Sequence, residues 1–263
     1  LARLALLSLH NELHSHILLV PLISAYLLHE RAERDEVPYR SSAVGAVLAT
    51  AIGAAALSAR TLWGETLSST DDLALMAFGF VSLVMASGFL CLGSGWMKRA
   101  AFPLSFLLFM IPMPDRMATQ LEAGLVAGSA EVAAWFFRLS GVPMLRDRTT
   151  FALPGITLHI AQECSGIRST WVLFITSLLA AHTLLRGAWR RWLLLFFVIP
   201  LGLVRNAFRI LVIGLLCVYV GPEMSDSFIH RHGGPLFFVV SLVPLFGLLW
   251  WLRPQQKRLD AAR

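Results

Sequence analysis

Three side chains in this 263-residue sequence carry the chemistry of acyl transfer: the thiol of Cys164, the guanidinium of Arg209 and the imidazole of His230. A thiolate attacks a carbonyl, a fixed cation meets the charge that develops on its oxygen, and an imidazole moves the proton. Each type also occurs for plainer reasons, so their placement decides. Cys164 lies in Glu163-Cys164-Ser165-Gly166, at the head of an apolar stretch. At a helix N-terminus the unpaired N–H groups and the positive end of the dipole favour the thiolate, and Arg168 adds to that field. The plainer alternative is an inert interfacial cysteine. Arg209 sits within the apolar run Trp192–Val220, where an arginine costs on the order of 2.5–3.5 kcal/mol. Asn206, three residues earlier, shares its helix face and is placed to hold the guanidinium or a substrate backbone. Snorkelling to headgroups accounts for a lone Arg209 but not for Asn206 beside it. His230 falls in a short loop between apolar runs, with His232 as the alternative imidazole. A metal on this His-x-His pair would need a third ligand such as His159 or Cys164, and the spacing carries no zinc signature. No metal and no cofactor is expected.

The elements that must position these groups are membrane helices. Apolar residues make up 57% of the chain and charged ones only 14%, with a mean hydropathy of +0.68. Soluble domains carry roughly 25% charged residues. One globular core cannot hide this excess, so lipid is the solvent for much of the surface. Apolar runs stand at Ile17–Leu28, Ala43–Leu57, Leu73–Cys91, Phe102–Ile111, Trp171–Leu185, Trp192–Val220 and Leu236–Leu252. Backbone groups in lipid must be satisfied within their own segment, so these read as helices. The length permits about seven to eight crossings. The fold class is all-α, a polytopic helical bundle, and residues 1–263 read as a single integral membrane domain. Residues 1–9 read as the tail of a longer helix.

The net charge of +6 does not point to nucleic acid, because the basic residues collect in short loops. Arg31, Arg34 and Arg40, then Lys98 and Arg99, then Arg186, Arg190 and Arg191, then Arg253, Lys257 and Arg258 follow alternate spans. Under the positive-inside rule these loops are cytoplasmic and the intervening ones are outside. Arg209 lies 18 residues beyond Arg191, roughly 27 Å of helix, against a hydrocarbon core of about 30 Å. It is thereby expected at the outer surface, the level of Cys164 and His230. The outer loop from Pro114 to Gly166 reads as an interfacial amphipathic helix over Met117–Leu139, with a re-entrant or spanning hairpin as the alternative. A short β-hairpin follows around Pro154-Gly155, within 149–160, and delivers the chain to Cys164. Three cysteines, Cys91, Cys164 and Cys217, without regular spacing, argue against a disulfide framework.

These residues also resemble the exosortase/archaeosortase family of membrane transpeptidases. The likeness runs through most of the chain. It includes Ser15-His16 with Arg31, Phe102-Pro103-Leu104 through Met113-Pro114, and Leu153-Pro154-Gly155. Its most specific parts are Glu163-Cys164-Ser165-Gly166-Ile167-Arg168-Ser169, Asn206-Ala207-Phe208-Arg209, and His230 with Gly234. The resemblance implies Cys164 as nucleophile, Arg209 as stabiliser of the tetrahedral oxyanion and His230 as acid/base. Asn206, Arg168, Glu163 and His232 would be supporting or substrate-binding. It implies exported protein substrates with a C-terminal sorting signal, a PEP-CTERM-like motif followed by a membrane helix and a basic tail. Cleavage would take place at the outer, periplasmic face of the inner membrane, with transfer to an acceptor or release by water. Membrane lipids are the other expected partners.

Three other classes compete, one of them a noncatalytic membrane scaffold, for which a buried Arg209 would be an unexplained cost. A proton- or cation-coupled transporter usually buries acidic groups or His near the midplane, whereas these apolar runs contain no acidic residue. A transferase acting on a lipid-linked substrate would use an outer-face polar pocket but would not need Cys164.

Overall fold

Helix α1 (Ala2–His10), a 3-10 turn (Glu12–Leu18) and α2 (Leu19–Ala32) open the chain, followed by α3 (Ala43–Trp63) and α4 (Ser69–Cys91). The start of α4 is written in its sequence. Ser68 Oγ accepts the Asp71 N–H at 3.0 Å, a cap worth about 1 kcal/mol. Asp71 and Asp72 add negative charge at the positive end of the dipole. Ser42 caps α3 in the same way through the Gly45 N–H. The structure is a computed structural model, and it describes residues 2–32, 41–160, 165–221, 223–224 and 234–261. They divide into two compact units, Leu1–Ala118 and Thr119–Arg263.

In the first unit, α3 and α4 form an antiparallel hairpin that closes on small residues. A Cβ at Gly53 would stand 3.1 Å from Ser82 Cβ and 3.2 Å from the Gly79 carbonyl; one at Gly79 would stand 2.9 Å from Leu57. Close backbone approach on such residues is how helices associate in lipid, where hydrophobic burial gives no preference for protein over acyl chains. Arg60 pairs with Asp72 at the loop end of the hairpin. Helices α5 (Gly93–Arg99) and α6 (Ala101–Phe106) and a 3-10 turn (Leu107–Met110) complete this unit's described elements before α7. Ser24 of α2 donates to the Pro103 carbonyl of α6 at 3.0 Å.

Helix α7 (Asp115–Ser140) carries the chain into the second unit. Val126, Ala130, Ala133, Ala134 and Phe137 recur at helical spacing and are buried, while Glu131, Trp135 and Leu139 face outward. The strands β1 (Leu145–Asp147), β2 (Thr150–Leu153) and β3 (Ile156–His159) form an antiparallel sheet in the order β1-β2-β3. Gly155, at φ +82°, makes the turn between β2 and β3 possible. Phe151, Leu153 and Ile160 turn into a cluster with the buried face of α7 and with Ala207 and Ile210 of α9 (Ala188–Tyr219). Below it, α8 (Ile167–Leu184), α9 and α10 (Gly234–Ala261) pack around Leu173, Leu194, Val198, Leu245 and Leu249.

Five described helical segments have the length and hydropathy to cross a membrane: Ala43–Thr66, Ser69–Cys91, Ile167–Leu184, Ala188–Tyr219 and Gly234–Arg253. Two further apolar runs are built differently from the continuous helices the sequence suggests. The run Ile17–Leu28 begins in the last two residues of the 3-10 turn Glu12–Leu18 and continues in the 14-residue α2. Residues 101–110 divide into α6 and a 3-10 turn that stops before Pro112 and Pro114, since the residue before a proline is pushed out of the α region.

Candidate active site

The site is organised by a glycine. Gly166 precedes α8 in the left-handed region, at φ +69°, which a side chain disfavours by roughly 1 kcal/mol or more. There is no room for one: a Cβ would lie 2.9 Å from Arg205 Nη2 and 3.1 Å from Asn206 Oδ1. The Gly166 carbonyl accepts from three donors: the Thr170 N–H at 3.0 Å, Ser169 Oγ at 3.2 Å and Arg205 Nη2 at 3.1 Å. Arg205 Nη2 also donates to Thr170 Oγ1 at 3.1 Å. Gly202 lets the two helices come together here, for a Cβ on it would meet Thr170 Oγ1 at 2.9 Å.

Arg205 is only 7% exposed and lies 14 residues along α9 from Arg191, about 21 Å. Hydrogen bonds to a charged group contribute about 1.5–3 kcal/mol each. The two bonds Arg205 makes to Gly166 and Thr170 are therefore comparable with the roughly 2.5–3.5 kcal/mol that a central membrane arginine costs. Sequence reading singles out Arg209 and passes over Arg205. The signal was present, since Arg205 lies deeper in the same apolar run, but its partners are 35 and 39 residues away.

Asn206 is 3% exposed and Arg209 is half-buried. Together with Ile210 and Ile213 they form one wall of a groove, and Leu158, His159 and Ile160 form the other. His159 Nδ1 lies 3.0 Å from Thr150 Oγ1. Arg168, exposed in the first turn of α8, is close enough for its charge to feel that of Arg209, as does Arg205. The structure thus brings Asn206, Arg209 and Arg168 into one neighbourhood. Cys164, Glu163, His230 and His232 lie outside the described residues. The described residues on either side of 161–164 meet α9: Ile160 lines the groove with Asn206 and Arg209, and Gly166 touches Arg205 and Asn206. Both ends of the segment that carries Cys164 meet the same two turns of α9.

At the far end of the sheet, Arg146 donates to Glu131 at 2.6 Å and lies over the Phe151 ring. That hydrogen bond holds the Glu131 carboxyl below the usual carboxylate range.

A mainly helical chain whose described residues include five membrane-length apolar helices, one of them with buried arginine, is an integral membrane protein. Residues 8–247 match the family model for transmembrane exosortases, and the chain belongs to that family. Neither the curated proteins nor the solved structures yielded a match.

Proposed function

We propose that this chain is a membrane-embedded cysteine transpeptidase acting on exported proteins that end in a sorting motif, a membrane helix and a basic tail. Its site faces the periplasmic or extracytoplasmic side of the inner membrane. The observation that carries the reading is the fastening of Gly166, two residues after Cys164, to the stretch of α9 that also presents Asn206 and Arg209 to an open groove.

In this mechanism the Cys164 thiolate attacks the scissile carbonyl and a tetrahedral oxyanion forms. Arg209 meets that charge where water is scarce and electrostatic stabilisation is largest. Collapse breaks the C–N bond, and His230 delivers a proton to the leaving amine. The thioester on Cys164 is then opened by an amine, a hydroxyl or water, with His230 taking the proton of the attacking group. Asn206 orients the guanidinium or the substrate backbone. Arg168 adds positive field at the head of α8, and Glu163 and His232 flank the reacting pair.

Co-expression with a tailed exported protein, followed by intact mass of that protein, tests the reading. Wild type is expected to give a shortened product whose new terminus distinguishes transfer from hydrolysis, and Cys164→Ala none. Equal shortening by both would remove Cys164 as the nucleophile and favour a transferase acting on lipid-linked substrates.

A further inference from the structure

Strand β3 lies at the margin of its sheet, and its hydrogen-bonding parity can be read from its pairings. Leu153 faces Ile156 across the Pro154-Gly155 turn, Phe151 faces Leu158, and Ile160 N–H donates to the Thr149 carbonyl at 3.0 Å. Hydrogen-bonded and non-hydrogen-bonded pairs alternate along an antiparallel ladder. Ile156, Leu158 and Ile160 therefore turn their backbone groups toward β2, and Thr157 and His159 turn theirs away. Among the described residues no backbone hydrogen bond reaches that outward edge. An edge with free N–H and C=O groups is a template for another strand. Here it borders the groove walled by Asn206, Arg209, Ile210 and Ile213.

We propose that the outward edge of β3 and this groove bind an extended segment of the protein substrate, which pairs with Thr157 and His159 as an added strand. The proposal rests on the transpeptidase reading and assigns it a substrate-binding subsite. Three properties select this occupant. The donors and acceptors of alternate residues along one strand edge match an extended peptide backbone, the recognition mode known as strand addition. The groove beside that edge is lined by Leu158, Ile160, Ile210 and Ile213, an apolar wall for the side chains of such a strand. Among the described residues its charged lining is Arg209, backed by Arg168 and Arg205, and neither α8 nor α9 contains a carboxylate. Neutral or acidic segments are accepted and basic ones repelled. Side chains of the added strand would alternate between the apolar wall and solvent.

The test uses the full chain with Cys164→Ala, so that substrate is not consumed, and a tailed reporter that the wild type shortens. A photo-crosslinking residue replaces Thr157 in one variant and Ala152 in another. Both positions are exposed on the same face of the sheet, but Ala152 lies on the middle strand. A strand added to β3 would lie about 5 Å from it and about 10 Å from β2. At least fivefold more reporter adduct at 157 than at 152 is expected. In the otherwise wild-type enzyme His159→Pro removes an outward N–H and keeps the backbone bonds to β2 but loses the imidazole's contact with Thr150; it should lower reporter processing at least tenfold relative to His159→Ala, which loses that contact alone. Equal adducts at both positions, no reporter adduct at 157, or adducts only to lipid or to a second copy of this chain would overturn the proposal. Continued shortening by Cys164→Ala would instead overturn the transpeptidase reading, while a selective adduct at 157 would still establish the subsite.

Discussion

The hairpin of α3 and α4 and the pair formed by α8 and α9 solve the same packing problem with different chemistry. Both pairs approach on glycines, Gly53 and Gly79 in the first, Gly202 and Gly166 in the second. Along α3 and α4 the approach is filled by Leu57 and Ser82, and polar partners such as Arg60 and Asp72 stand at the end. Along α8 and α9 it is used to thread a guanidinium from one helix to a carbonyl and a hydroxyl of the other. Dispersion suffices to hold two membrane helices together. Burying Arg205 adds a cost that scaffolding alone does not require, and under the proposed function α8–α9 is the working pair.

The largest effect that would sharpen this contrast concerns Arg209. Arg209→Ala is expected to leave the protein inserted at wild-type levels and to abolish processing of a tailed reporter, a loss of 100-fold or more. Arg209→Lys should fail as well if planar, bidentate recognition matters. Processing at full rate by the lysine variant would show that charge alone suffices. Next comes Gly166→Ala, which forces a side chain to φ +69° and against Arg205 and Asn206. A destabilisation of about 1–3 kcal/mol is expected, with a marked loss of processing; thermal unfolding in detergent and the reporter assay read both. Arg205→Met strips the guanidinium from Gly166 and Thr170, and a loss of about 1–3 kcal/mol is expected. Adding Thr170→Val should not deepen it by a full further increment, because the second group has already lost its partner.

The first unit supplies the counter-test. Gly53→Val, pressing on Ser82 and the Gly79 backbone, should cost about 1–3 kcal/mol through overpacking. The surviving folded fraction should process the reporter normally. A specific loss of turnover in that fraction would erase the distinction between the two pairs. The smallest effect concerns Glu131 and Arg146. Because the folded state lowers the Glu131 pKa, the pair's contribution is present above the ordinary glutamate range and is lost as pH falls through the depressed folded value. Glu131→Gln should flatten that acid-side decline slightly in a melting-temperature series.

The long apolar runs made α3, α4, α8, α9 and α10 legible, because in lipid the periodic demand on each segment is simple. The apolar stripe of α7 was readable for the same reason. Asn206 and Arg209 were legible as a pair on one helix face, and they do line one groove. Arg205 was not, since its significance lies in contacts 35 and 39 residues away that no local pattern encodes. Nor was β1: three residues, Leu145–Asp147, two of them charged, show no apolar alternation. The break of the runs Ile17–Leu28 and Phe102–Ile111 into 3-10 and α pieces was hidden by continuous hydropathy, which measures polarity and not hydrogen-bond geometry.

The link from Arg205 back to Gly166 and Thr170 also bears on how the protein is made. Helix α8 is synthesised before α9, so when Arg205 leaves the ribosome its partners already exist. Offered to the insertion machinery by itself, α9 would present a guanidinium with neither acceptor at hand. Helix α8 would therefore act as an internal chaperone for its successor, and the pair would leave the translocon as one unit.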